Sequence, residues 1–191
     1  VTEDADLGIR LSYFGYRTDL LPSLTLEESP ITLKAWLNQR SRWIKGYVQT
    51  WLVYMRNPVS LFARLGPTGF FGFQFFVGAP ALTFLLAPFF WGISLLLALH
   101  LAPALHLPRW LQAACAATFL LGMTLQWVTA LIALRREGWL AMRRALLVFP
   151  FYWLLHSIAC VKALWQLAKR PHFWEKTSHG QSRLFTGHPI T

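Results

Sequence analysis

Three groups of residues have types and spacing suited to chemistry. Glu3, Asp4 and Asp6 put three carboxylates into four residues, and carboxylates at the start of a helix lie beside the positive backbone N–H groups there. The chemistry they could do is proton transfer, and the ordinary alternative is N-capping and dipole compensation. Gln39, Arg42 and Trp43 stand at i, i+3 and i+4, so an amide, a guanidinium and an indole project from one helix face. Arg40 adds a second guanidinium beside them. Such a face suits anion and ring recognition, and it equally describes a solvated helix with a buried tryptophan. Trp174, Lys176, Thr177 and His179 form a third group in a basic tail, which could simply snorkel at the end of a membrane span.

The elements that must position these groups follow from periodicity and punctuation. Thr2 or Asp4 can cap a first helix with Leu7, Leu11 and Phe14 along one face, and Gly15 ends it. Asp19 to Leu26, with Leu20, Leu24 and Leu26 after Pro22, suits a short strand or extended loop. Ser29-Pro30 supplies a cap and a first-turn proline for a longer helix running to about Met55, which carries Gln39 to Trp43. Asn57-Pro58 stops that helix.

Composition decides the surroundings. Of 191 residues, 55% are hydrophobic and only 14% charged, with ten Trp and fifteen Phe, which excludes a disordered or fibrous chain and favours membrane segments. Six of the eight acids lie in the first 28 residues, and the net charge of +10 comes from Lys and Arg flanking apolar runs. That pattern argues for lipid headgroups and against nucleic acid. Between Arg64 and Arg109 lie 44 residues without Asp, Glu, Lys or Arg, enough for two spans or for one long span plus a membrane-surface piece. A turn at Ala87-Pro88 divides them into spans at about 70–86 and 89–106, after a Gly-Pro-Thr-Gly break at 66–69 and an interfacial Val59–Leu65. Arg109 with Arg135-Arg136 bounds a third span at about 110–134, and Arg143-Arg144 with Lys169-Arg170-Pro171 a fourth at about 145–167. Trp110, Trp127, Trp139, Trp153 and Trp165 include several at predicted ends, as an aromatic belt requires, while Trp91, Trp127, Tyr152 and Trp153 are candidates for lining a channel. His156 and Cys160 at i and i+4 do not make a metal site, and Cys115 and Cys160, both in apolar runs, offer no disulfide framework.

Thr2-Glu3-Asp4 resembles the TED motif, and Gln39-Arg40-Ser41-Arg42-Trp43 the QxxRW motif, of processive family 2 glycosyltransferases such as cellulose, chitin and hyaluronan synthases. The tail Trp174-Glu175-Lys176-Thr177-Ser178-His179-Gly180 is similar to the ending of cellulose-synthase-like bacterial members. The resemblance implies that Asp4 is the base for inverting transfer and that Glu3 braces the site. It also implies that Arg42, helped by Arg40, meets the departing diphosphate, and that Trp43 and Gln39 hold the acceptor sugar. Trp174, Lys176, Thr177 and His179 would close over the nucleotide. The expected partners are a nucleotide-sugar, most simply a UDP-sugar, a polysaccharide or oligosaccharide acceptor, and membrane lipids. A divalent Mg or Mn is expected in the intact parent, with its ligands outside this chain.

The sequence therefore predicts a mainly α, multi-pass membrane protein. Residues 1–58 are expected to be the end of a cytosolic GT-A α/β domain, 59–168 an interface segment with about four membrane helices, and 169–191 a cytosolic tail. The expected location is the plasma (inner) membrane. Four spans leave the arginine loop at 135–144 facing outward, against the positive-inside tendency, and three would strand the tail there. The chain reads as the latter part of a longer enzyme, inactive without its donor-binding half. Two further readings are a non-catalytic transporter or assembly subunit and a non-processive transferase acting on a lipid carrier.

Overall fold

The computed structural model describes residues 3–19, 21, 23, 29–99 and 107–175. They are mainly helical, with no strand among them. The strand or loop expected at Asp19–Leu26 falls largely outside the described residues, as do Thr2, His100, His106, Lys176, Thr177 and His179. Two compact units result, one of residues 1–82 with 158–191 and one of 83–157.

In the first unit, α1 spans Glu3–Tyr13. Gly15, at φ +83°, closes it: its N–H bonds Ser12 O at 3.0 Å and the Tyr16 N–H bonds Leu11 O at 2.9 Å, the paired pattern that a left-handed residue permits after a helix. The face used differs from the leucine stripe. Ile9 and Tyr13 pack on the core of Leu61, Phe73 and Val77, whereas Leu7 and Phe14 remain 58% and 74% exposed.

The long second helix, α2, spans Leu33–Tyr54. Thr32, not Ser29, caps it, its hydroxyl accepting from Ala35 N at 3.2 Å, because the cap must immediately precede the first turn whose N–H groups it satisfies. Asn57 both ends this segment and opens the next: its side chain accepts from Ser60 N at 3.1 Å, with Pro58 in the first turn of α3, Pro58–Phe73. Gly66, at φ +67° and ψ 176°, kinks α3 ahead of Pro67, so the expected break is present but the helix resumes at once.

A single π-helical turn, Gln74–Gly78, leads into α4, Ala79–Ala98. The predicted turn at Ala87-Pro88 is absent, since Pro88 lies inside α4. Pro removes one N–H, but in an apolar medium opening the chain would strand several more backbone groups without water, so continuing the helix costs less. The expected spans 70–86 and 89–106 are thus replaced by one continuous helical run from Pro58 to Ala98. At about 1.5 Å per residue that run is roughly 60 Å long, about twice a hydrocarbon core, which fits one span preceded by a surface piece.

In the second unit α5, Arg109–Arg136, ends at the arginine pair as expected. A nine-residue 3₁₀ stretch, Leu140–Val148, precedes α6, Phe149–Lys169. Among the described residues, three helical runs are long and apolar enough to cross a membrane: Pro58–Ala98, Arg109–Arg136 and Leu140–Lys169. Trp153 is not a belt residue, because its indole donates to Gln126 Oε1 and packs near Phe84 and Trp91. His156 is a packed contact, stacked 4.7 Å from Phe84 with Nδ1 at 2.9 Å from Tyr152 O.

One joint ties α2 to the membrane run. Trp51 Nε1 donates to Gln74 Oε1 at 2.8 Å, and a Cβ on Gly78 would lie 2.5 Å from that indole nitrogen. Gly78→Ala is therefore expected to cost about 1–3 kcal/mol through overpacking, read as a lowered thermal midpoint in detergent; an unchanged midpoint would refute the close approach.

Candidate functional site

Everything in this site belongs to the first unit and is arranged along α2. The N-terminal half of the helix carries the motif side chains. Arg40 lies between two indoles, its guanidinium carbon 5.7 Å from the Trp36 ring and 4.4 Å from the Trp43 ring, a ladder that helical spacings of three and four residues generate. Trp43 stays 38% exposed. Arg42 turns away from Trp43 and meets Trp174 instead, at 5.6 Å. The structure thus divides the motif, with Trp43 paired to Arg40 and Arg42 to the tail. Gln39 is buried. The Nε atoms of both Arg40 and Arg42 are buried and meet no hydrogen-bond acceptor among the described residues, although a buried donor normally finds one.

The tail reaches Arg42 because α2 binds it. Lys45, 1% exposed, donates from Nζ to Arg170 O at 2.8 Å and to Phe173 O at 2.7 Å. Gln49 adds a bond to Pro171 O at 3.1 Å. From α6, Lys162 bridges Glu175 at 2.8 Å and Asn38 Oδ1 at 2.5 Å, and Gln166 donates to Glu175 at 3.2 Å. Burial pushes the Lys45 pKa below its ordinary value, a penalty that the two carbonyl bonds offset. Asn38, Lys45, Lys162 and Gln166 lie outside the sequence motifs, and Glu175 entered only as a member of the tail segment, without a role of its own. One signal was present: Lys162 is a lone charge inside a predicted span, and such a charge demands a partner.

The carboxylates sit at the other end of α2. Asp6 accepts from the Tyr54 hydroxyl at 3.0 Å and pairs with Arg10 at 2.8 Å. Burial, then the Asp6 bond, raises the Tyr54 pKa. Tyr54 lies eleven residues beyond Trp43, about 16 Å along the helix axis, so α1 is anchored three turns from the Arg-Trp face. Glu3 and Asp4 are exposed on its first turn. A cleft of about 680 Å³ opens beside α1, walled by Ala5, Gly8 and Ser12 of α1, Tyr47 of α2, and Gly69 and Gly72 of α3. Asp4, Gly8 and Ser12 share one helical stripe, so Asp4 stands at the outer end of that wall, and Tyr47 is one turn beyond Trp43. Among the described residues no three His, Cys, Asp or Glu side chains gather around a possible metal.

A family model described as glycosyl transferase family group 2 matches residues 1–167. The chain belongs to this family. No curated protein and no solved structure matches it. A family 2 glycosyltransferase domain moves a sugar from a nucleotide-sugar donor to an acceptor, and the three apolar runs fit a membrane-bound form of that activity.

Tyr54→Phe removes the bond from α1 to α2. Bonds to charged groups are worth roughly 1.5–3 kcal/mol when buried, and partial exposure here lowers the expected loss to about 1 kcal/mol. Faster amide exchange across Glu3–Tyr13 is the expected signature, and unchanged protection would show that the anchor lies elsewhere.

Proposed function

We propose that this chain forms the acceptor-side and membrane part of a processive, cellulose-synthase-like inverting glycosyltransferase. The observation that carries this reading is the pair of buried guanidinium N–H groups, on Arg40 and Arg42, that no acceptor among the described residues satisfies. A diphosphate leaving group supplies oxygens of the right charge for both. Trp43, held face-on by Arg40, offers its exposed ring to the C–H face of an acceptor sugar, and Gln39 orients that sugar's hydroxyls. Asp4 removes the proton of the attacking hydroxyl, which requires the first turn of α1 and the Arg42 face to flank the same anomeric carbon in the working enzyme. Glu3 braces that carboxylate. Trp174 closes over Arg42, with Lys176, Thr177 and His179 following it in the chain.

The donor is proposed to be a UDP-sugar and the product an exported polysaccharide. The uridine-binding and metal-binding residues of a GT-A domain would be supplied by sequence outside this chain, which alone would be inactive. The site faces the cytosol at the plasma membrane, where nucleotide-sugars are found. Lys45 bonds residues just after α6, which supports placing α2 and the tail on one side of the bilayer. That needs an even number of crossings, so with three apolar runs one of them re-enters or lies in the membrane without traversing it. Cysteines placed singly at Ser29 and His172 should react equally with an impermeant maleimide from the cytosolic face. Opposite sidedness would overturn the arrangement.

In the full-length protein, Asp4→Asn is expected to reduce transfer from a radiolabelled nucleotide-sugar by about 10³-fold or more with membrane insertion intact. Activity near wild type would sink the assignment of the base. Trp43→Ala should impair chain elongation more than donor hydrolysis, and equal loss of both would argue against an acceptor platform.

A further inference from the structure

Lys45 lies outside the five residues of the motif, yet it is the most deeply buried charged side chain among the described residues. Its two acceptors are main-chain carbonyls of the tail, three residues apart. We propose that Lys45 is a positioning residue: its ammonium clasps residues 170–173 onto α2, and the clasp decides whether Trp174 covers the Arg42 guanidinium.

The physical argument starts from desolvation. An ammonium without acceptors in a dry site is strongly disfavoured. Lys45 therefore has two acceptable states, one with the tail carbonyls in place and one in which the tail has lifted and water or an anion reaches the nitrogen. Phe173 O, the second acceptor, belongs to the residue immediately before Trp174. Fixing that carbonyl fixes the ring that stacks on Arg42. At the far side of Trp174, Glu175 is held by Lys162 and Gln166. Trp174 is thus pinned from both flanks, by Lys45 through backbone and by α6 through a carboxylate. Arg42 and Lys45 are also i, i+3 neighbours, so lifting the tail from Lys45 uncovers the Arg42 guanidinium for a diphosphate. That role for Arg42 rests on the transferase reading, whereas the clasp itself does not.

The test separates the two. The full-length protein in detergent is treated with phenylglyoxal, and modification of Arg42 is followed by peptide mass spectrometry. Lys45→Met is expected to speed Arg42 labelling about tenfold, Lys45→Arg to restore the wild-type rate by keeping charged donors to both carbonyls, and Trp174→Ala to speed labelling with Lys45 intact. A wild-type rate in Lys45→Met overturns the clasp, and wild-type rates in both Lys45→Met and Trp174→Ala overturn the cover as well. Should the methionine variant fail to fold, Lys45→Gln, which keeps one donor without the charge, is judged by the same criterion. A sugar-transfer assay on the same variants reads the positioning role: kcat is expected to fall about tenfold in Lys45→Met with the donor KM changed less than about twofold, and to recover in Lys45→Arg. A change confined to KM would assign Lys45 to donor binding and overturn positioning. A wild-type protein that transfers no sugar from any nucleotide-sugar would sink the transferase reading and leave the labelling result standing.

Discussion

A dry ammonium group must be given oxygen, and meeting that demand at Lys45 organises the first unit. Because α2 buries this side chain, the chain after α6 has to come back and lay two carbonyls against it. Once it has done so, Gln49 can hold Pro171 O and Lys162 can reach both Glu175 and Asn38. Residues more than a hundred positions apart in sequence are thereby joined through polar contacts, where apolar packing alone would fix neither register nor direction. The opposite end of α2 works differently. There Trp51 and Tyr54 use one bond each, to Gln74 and Asp6, to orient aromatic rings that already pack on Leu61, Phe73 and Val77.

These two ends give α2 two separate tasks. Its first half presents guanidinium and indole groups beside the tail, and its second half fastens the acidic helix and the start of the membrane run. The helix between them sets the distance from the Arg-Trp face to the anchor of α1 at Tyr54. Outside this polar spine the surface is apolar: Phe75 and Phe76 are 72% and 79% exposed, a pattern that lipid tolerates and water does not.

Much of this was legible in the sequence because it depends on neighbours along the chain. The end of α1 at Gly15, the extent of α2 and the limits of α5 follow from capping residues and charge boundaries. Gln39, Arg40, Arg42 and Trp43 lie on α2, and Glu3 and Asp4 on the first turn of α1, where periodicity and punctuation put them. What was not legible depends on pairings distant in sequence. That Arg42 turns to Trp174 while Trp43 keeps Arg40 follows from where the tail docks, which no local pattern encodes. The expected stop at Ala87-Pro88 failed because the rule that proline breaks helices assumes water is there to satisfy the freed carbonyl. Ser29 lost the capping role to Thr32 for a local reason, since a cap works only at the residue directly before the first turn. The leucine stripe of α1 likewise gave way to Ile9 and Tyr13, because contact with α3, and not hydrophobicity alone, selects the face.

The π-helical turn at Gln74–Gly78 reaches further than its five residues. A π-turn accommodates one residue more than an α-turn, which rotates everything downstream by about 100° about the helix axis. Every residue of α4 therefore takes its azimuth from this one surplus position. Deleting a single residue there would relax the turn to ordinary α-helix and swing the Ala81 carbonyl away from the Cys160 thiol that now donates to it. Composition, length and hydropathy would be almost unchanged, so a homologue with that deletion would look equivalent in sequence while presenting a different side of its helix to the bundle.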